Sequence, residues 1–521
     1  MKKAILRWGI CLMLGSFLSA QPMANAQGGK AWPILTRTGD RILEGGTPFR
    51  FMGLATPNLL ANENQLLPDA SNHFPDEFEI RDQLDALHRL GCRATRTFAL
   101  TVACPQDRLG EKGGGSAVPA YISGRRQYNE AAFQCLDRVL ALAREYDVRV
   151  IIPFIASQSF PNIRGVDEFA QLSGKPGSSF WTDEAVKADF KYLLDFVLNR
   201  RNTVSGVRYK DDPAILAWQL GNEFNAYAID RKLNLETWSP VILAWSKEMA
   251  AHIKRVDPNH LLAEAGGCDR RALLADPNID LISTHLYEYW CRLGGGDCDL
   301  ETLAARDLAE CRGQKPLMVD EFGLARTSAQ QRLMRMILRE PGIAGGLLWA
   351  MRGHRRDGGW YCHNEGGTPV NSYHHPGFSV GFAYDETRVL DQLRGFAYAM
   401  RGQALPPIEK PSPAPVLART GKGADRGLTW RGSTGASSYV IERATSAAGP
   451  WTAVATDLED SVVADAKTFE SSPESAFPLA LWHDENVPTD RSWFYRIKGV
   501  NLAGETDYSS VLEVRWESAK P

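Results

Sequence analysis

Between residues 49 and 350 the chain repeats one alternation eight times: a short run rich in β-branched and other apolar residues, then a longer amphipathic stretch. The runs fall at 49–53, 94–98, 148–154, 215–220, 261–265, 281–284, 317–320 and 346–350. The stretches at 79–90, 131–146, 183–201, 237–256 and 328–338 carry apolar residues at helical spacing. Continuous apolar strands are buried on both faces, as in a parallel sheet, and each parallel neighbour needs a crossover helix. Eight such strands close on themselves, so the α/β expectation is a (β/α)8 TIM barrel over 27–404. In that architecture chemistry gathers at the C-terminal ends of the strands.

The alternation stops near residue 405. Prolines at 406, 407, 411, 413 and 415 predict a stiff extended linker over 405–415. Beyond it, short alternating runs at 428–431, 438–443, 494–500 and 511–514 predict an all-β, immunoglobulin-like sandwich over 416–521. Trp430, Tyr439, Tyr495 and the turn Asn501-Leu502-Ala503-Gly504 make this part resemble a fibronectin type III domain. At the other end, Lys2, Lys3 and Arg7 precede an apolar run from Ile10 to Leu18, and Ala24-Asn25-Ala26 has the small-x-small form of a cleavage site. Residues 1–26 therefore read as a signal peptide, and the mature protein as secreted, extracellular or periplasmic.

Composition narrows the partners. With 59 Lys+Arg against 62 Asp+Glu the chain lacks the basic excess that holds a polyphosphate, so no nucleic acid is expected. No later apolar run has the length of a membrane helix, so no membrane partner is expected either, and the protein is read as a monomer. Eight cysteines follow the leader, all before residue 363, and export favours disulfides. Cys291 and Cys298, flanking Gly294-Gly295-Gly296, are the expected bridge. Paired Cys-x-x-Cys is absent, and His354, His363 and His375 lack ligand spacing, so no metal and no cofactor are expected.

Polar residues end the strands in a way that core packing does not ask for. Arg96 ends strand two, Asn222 and Glu223 follow strand four, His285 and Tyr287 follow strand six, Glu321 ends strand seven and Trp349 lies in strand eight. Strands four and seven lie on opposite sides of an eight-stranded ring, so Glu223 and Glu321 should flank one space. A facing pair of carboxyls is what glycosidic cleavage needs, one to protonate the leaving oxygen and one to meet the anomeric carbon. Arg96 can hold Glu321 ionised, Tyr287 can hydrogen-bond it, and Asn222 can hold a sugar hydroxyl beside the reacting carbon. After strand eight the segment 352–363 overhangs the mouth. There Trp360 can stack on a terminal sugar or pack as part of the loop.

These motifs, in this order, resemble glycoside hydrolase family 5: Arg96, then Asn222-Glu223 after Leu216-Ala217-Trp218-Gln219-Leu220-Gly221, then His285-Leu286-Tyr287, Asp320-Glu321-Phe322-Gly323 and Trp349. The resemblance spans about residues 32–400. It implies a retaining double displacement with Glu223 as acid/base and Glu321 as nucleophile, the carboxyls ~5 to 5.5 Å apart. Trp32, Phe51-Met52-Gly53, Ala217-Trp218 and Asp320-Glu321-Phe322-Gly323 look most like the β-1,4-mannanases. The resemblance thus implies a β-linked polysaccharide or oligosaccharide substrate, mannan first. Beside that reading stand a β-1,4-glucan hydrolase or an exo-acting β-mannosidase of the same family. A non-catalytic carbohydrate-binding or adhesion protein is the alternative of another class.

Overall fold

Six of the long helices begin on an Asp or Asn whose side chain accepts a hydrogen bond from a first-turn N–H, the arrangement that satisfies otherwise orphaned donors and contributes about 1 kcal/mol each. These are α1 (Glu77–Arg89), α2 (Glu130–Glu145), α3 (Glu184–Asn199), α4 (Leu235–Val256), α5 (Leu300–Cys311) and α7 (Glu386–Met400). Between the last two lies α6 (Thr327–Arg339). They alternate with β1 (Phe51–Leu54), β2 (Ala94–Arg96), β3 (Arg149–Pro153), β4 (Ile215–Gln219), β5 (Leu261–Ala263), β6 (Ile282–Leu286), β7 (Leu317–Phe322) and β8 (Ile343–Leu348). Among the described residues the β5–β6 crossover keeps only the short helix Arg270–Leu274. The coordinates are a computed structural model that describes residues 32–62, 73–104, 120–159, 164–266, 270–288, 291, 298–361, 372–377, 385–420, 426–460, 480–485 and 487–517. The expected leader at 1–26, the Gly294-Gly295-Gly296 loop and His363 lie outside them.

The strands pair in parallel as β2-β3-β4-β5 and β6-β7-β8-β1. A parallel bridge between Ala263 and Leu281 joins β5 to β6, and Thr56 N–H donates to the Arg96 carbonyl (2.8 Å) where β1 meets β2, so the ring closes as a TIM barrel. Every residue of these strands is buried except His285, which is half-buried at the mouth. The floor is sealed by a three-stranded antiparallel sheet of Thr36–Thr38, Arg41–Glu44 and Thr47–Pro48. Its Leu35, Ile42 and Phe49 pack on Phe51, Ala94, Ile151, Leu216, Leu261 and Met318. Access from water is thereby left to the opposite end, where the strands terminate.

Within the compact unit 34–521, the C-terminal part is built of two antiparallel sheets. One pairs β9 (Val416–Arg419), β10 (Gly427–Arg431) and Trp482–His483. The other pairs β11 (Ser438–Ala444), β12 (Thr452–Leu458), β13 (Ser492–Asn501) and β14 (Leu512–Arg515). Trp430, Tyr439, Ile441, Tyr495, Ile497 and Trp516 form their shared core.

The proline-rich segment is pinned to the barrel's helices. Arg394 donates to the carbonyl oxygens of Pro406 (2.6 Å) and Pro407 (3.1 Å), and Arg89 donates to the Lys410 carbonyl and Ser412 Oγ, both at 2.7 Å. Beyond it, His354 from the segment after β8 is wedged between two acids. Its Nδ1 lies 2.8 Å from Asp82 Oδ1 on α1 and its Nε2 lies 3.2 Å from Asp460 Oδ2 of the C-terminal part. Thr434 Oγ1 donates to Asp82 (2.7 Å), and the Trp360 ring stacks on the imidazole with centroids 3.6 Å apart.

Of the cysteine expectation, the bridge singled out fails, while Cys268 and Cys362 lie outside the described residues. Cys291 and Cys298 are not joined, Cys298 turning into the protein while Cys291 stays half-exposed. Cys92, Cys135 and Cys311 are buried thiols on separate elements, each raised well above the ordinary thiol range by burial. Among the described residues no helix is long and apolar enough to cross a membrane.

Candidate active site

The guanidinium of Arg96, fully buried at the end of β2, organises the open end of the barrel. It has only donors to offer. One amine nitrogen donates to Glu321 Oε1 (2.6 Å), the other to Asn222 Oδ1 (2.7 Å), and Nε donates to Gln219 Oε1 (2.7 Å). Tyr287 Oη donates to the second oxygen of Glu321 (2.7 Å). Glu223 follows β4 and starts the short helix Phe224–Asp230 with φ +50°, left-handed backbone that costs a non-glycine residue on the order of 1 kcal/mol and recurs at functional positions. Its side chain keeps 29% exposure where that of Glu321 keeps 5%.

His285 stands between the two glutamates. Its Nδ1 is 2.7 Å from Glu223 Oε1 and 3.3 Å from Glu321 Oε2, and its Nε2 faces Asp320 Oδ2 at 3.7 Å. Burial works against the imidazolium, but Glu321, Asp320 and the bond to Glu223 overcome it and hold His285 well above its ordinary value, hence protonated at neutral pH. Asp320, although buried, is held down to about 2 by His285 and Arg96. It accepts from Ser283 Oγ (2.6 Å) and Gln219 Nε2 (2.8 Å). Burial pushes Glu321 up to about 7 against the pull of His285 and Arg96, with the Glu223 carboxyl adding to the rise. Beneath them Glu264, on the β5 side, is likewise lifted to about 7 by burial.

One donor atom each from Glu223, His285 and Glu321 lie within 4.8 Å of one another. Such a trio has the residue types of a cation site, but a protonated imidazole has no lone pair to give a metal, and the Arg96 charge already balances Glu321. Two cations, Arg96 and His285, face two carboxylates, Asp320 and Glu321. The arrangement suits proton transfer beside a carboxylate nucleophile.

All the residues singled out from the sequence meet here except Trp360. Trp349 follows β8 directly and packs against Phe98 (centroids 5.7 Å apart) in a cluster with Tyr287. Trp360 lies elsewhere: it is 5% exposed, stacked on His354, and its Nε1 donates to Asp460 (3.0 Å), so its ring is spent on the contact with the C-terminal sheets. The place of Trp360 in a sugar site is corrected accordingly. Phe154 is also interior, stacked on Trp218. Sequence reasoning missed Gln158, which donates to Glu223 Oε2. It also missed the polar layer of Gln219, Ser283 and Glu264. For that layer the one signal available was the occurrence of polar residues directly after or within apolar strands; Gln158, five residues past the end of β3, carried none.

The model of the GH family 5 beta-mannosidase-like family matches residues 62–334. Mannan endo-1,4-β-mannosidase 7 of Arabidopsis thaliana is 32% identical over 283 residues, 46% of this chain and 63% of that protein. The chain thus spans about three fifths of the length of the curated relatives it matches. Among solved structures, an endo-1,4-β-mannanase from Rhizomucor miehei superposes with a TM-score of 0.52 at 19% identity, covering 71% of this chain and 100% of that one. An endo-β-1,4-mannanase from Thermotoga petrophila does so with a TM-score of 0.50 at 17% identity, covering 91% and 99%. At these identities the superpositions establish the barrel fold. With more than half its length matched by the family model, the chain belongs to glycoside hydrolase family 5, among its β-mannosidase-like members.

Proposed function

We propose that the protein is a secreted retaining β-glycosidase that hydrolyses β-1,4-linked mannan or manno-oligosaccharides, with Glu321 as nucleophile and Glu223 as acid/base. The observation that carries the reading is the pair itself: oxygens of Glu223 and Glu321 no more than 4.8 Å apart, one carboxyl enclosed by Arg96 and Tyr287 and the other open to the mouth. That closeness suits direct attack by one carboxyl, as in a retaining enzyme, better than the wider separation an inverting enzyme needs for its water. The substrate class follows the mannan-degrading relatives. The leader at 1–26 supports export, and the two C-terminal sheets are read as a fibronectin type III-like sandwich.

In the first step Glu321 forms a bond to the anomeric carbon as the glycosidic bond breaks, and Glu223 passes its proton to the departing oxygen. The Arg96 and Tyr287 bonds orient the attacking carboxylate, and esterification removes its charge. Glu223, now ionised, takes a proton from water, which attacks the same carbon and releases Glu321. Asn222, anchored by Arg96, is read as the residue that bonds a hydroxyl of the reacting sugar.

The test is hydrolysis of mannan, manno-oligosaccharides, cellulose and aryl β-mannosides by the wild type, Glu223→Gln and Glu321→Gln. Turnover of mannosides with retained anomeric configuration, lost in both variants, is the expected result. Equal inactivity of all three proteins, or preference for cellulose, overturns the reading. Azide should restore turnover of an activated aryl mannoside to Glu223→Ala with a β-configured mannosyl azide as product, whereas rescue of Glu321→Ala would give the inverted α-azide; no rescue of Glu223→Ala counts against its acid/base role.

A further inference from the structure

Two amide side chains stand between Arg96 and Glu223, and chemistry fixes the direction of both. A guanidinium only donates, so the Asn222 atom facing Arg96 at 2.7 Å is its oxygen. The Asn222 nitrogen must then turn the other way, where it lies 3.2 Å from Gln158 Oε1. Gln158 is left with its nitrogen on Glu223 Oε2. Reversing Gln158 would set two N–H donors against each other. The chain Arg96, Asn222, Gln158, Glu223 therefore runs donor to acceptor throughout, and each bond polarises the next.

The backbone holds this chain in place. Asn222 N–H donates to the Ile155 carbonyl (2.8 Å), Ser157 N–H to the Asn222 carbonyl (3.0 Å) and Ser157 Oγ to the Glu223 carbonyl (2.6 Å). The approach is so close at Gly221 that a Cβ there would overlap the Ile155 carbonyl and the Phe224 ring. Gln158 and Asn222 are both buried, 7% and 3% exposed. The charged groups around Glu223 are His285 from β6, Glu321 from β7, Arg96 from β2 and Asp230 at the end of the helix that follows it. Gln158 is the neutral donor, from the segment after β3.

We propose that Gln158 is a positioning residue for Glu223, which it serves by ending the donor chain from Arg96 on Oε2 and so aiming the acidic proton at the substrate. This rests on the acid/base role given to Glu223 above. His285 occupies one lone pair of Oε1 and Gln158 one of Oε2. A proton on Glu223 is then confined to the one lone pair left on each oxygen, and the side chain keeps 29% exposure, through which a glycosidic oxygen can reach it. After the proton has left, the same donor stabilises the carboxylate that must next draw a proton from water.

Gln158→Leu removes the donor. The expected result is an alkaline limb of the kcat/KM profile moved upward by about one pH unit, the effect of one neutral hydrogen bond. The loss of kcat should be tenfold or more on aryl mannosides with poor leaving groups and much smaller on activated ones. Gln158→Glu, nearly the same shape but without an N–H donor, moves the limb at least as far. A limb that coincides with the wild type's in both variants, or a kcat loss equal for all leaving groups, overturns the proposal in favour of a merely structural role. Carboxyl 13C titration of Glu223, assigned with Glu223→Gln, gives a readout without turnover. Its midpoint should rise in Gln158→Leu even if the mannosidase reading fails, and an unchanged midpoint overturns the proposal by itself.

Discussion

The imidazole of His354 should make stability fall steeply on the alkaline side. The group is fully buried between Asp82 and Asp460, and although burial alone would disfavour its charge, the two acids raise it from 6.5 to about 9. A raised folded-state value means that the folded protein holds a proton the unfolded chain releases. The stabilisation is thus complete below pH 6.5 and lost as pH rises to about 9. The difference amounts to about 3 kcal/mol, order of magnitude, a sizeable part of a typical folding free energy. Urea unfolding of the wild type and of His354→Gln, followed by tryptophan fluorescence from pH 6 to 10, isolates the effect. Lys315, lowered to about 8 by burial, acts in the opposite direction above pH 8, but it is common to both proteins and cancels. The gap between the two proteins should shrink by about 3 kcal/mol across the window. Curves that stay parallel from pH 6.5 to 9 would refute a charged imidazole in that contact.

Other expectations concern the site and its supports. Because burial lifts Glu321 to about 7 and only its ionised form attacks, kcat/KM on an aryl β-mannoside should fall about tenfold per pH unit below that value; a profile flat down to pH 5 contradicts it. Trp360→Ala should lower stability by about 3 to 5 kcal/mol in thermal or urea unfolding while KM stays within about twofold, because the ring packs on His354 and away from the mouth. A raised KM with unchanged stability would return Trp360 to the cleft. Gly221→Ala forces a methyl into the Ile155 carbonyl and the Phe224 ring, so it should cost about 1 to 3 kcal/mol and depress kcat by displacing Gln158; unchanged kcat and melting temperature would count against that close approach.

The barrel was legible because its strands are buried on both faces and its helices repeat at helical spacing, so eight alternations leave few other ways to close a sheet. Glu223 and Glu321 stood out for a related reason: a carboxyl directly after or inside an apolar strand has no place in a core. Gln158 carried no such mark. A glutamine after a strand reads as an ordinary surface residue, and its part depends on which way Asn222 points, which Arg96 settles from two strands away. Trp360 was misplaced because an aromatic residue in a long loop fits a cleft and a contact surface equally well. The partner that decides, Asp460, lies a hundred residues downstream. In the C-terminal part, Val416–Arg419 hid behind the prolines and Trp482–His483 is too short to show alternation. The cysteines invited a bridge by their even number, yet Cys135 faces the interior from α2 and Cys311 from α5, where each acts as a small apolar side chain.

The way Arg89, Asp82 and His354 reach across to Ser412, Thr434 and Asp460 has a bearing on how this protein can be re-engineered. A cut before the proline run would strand Asp82, His354 and Arg89 in newly bared surface, so the carboxy-terminal sheets are not a cassette to be trimmed away or grafted onto another barrel. They serve as a buttress. Among the described residues the segment between barrel and sheets is tied down at Arg394 and Arg89, which leaves the rear portion no leash on which to swing.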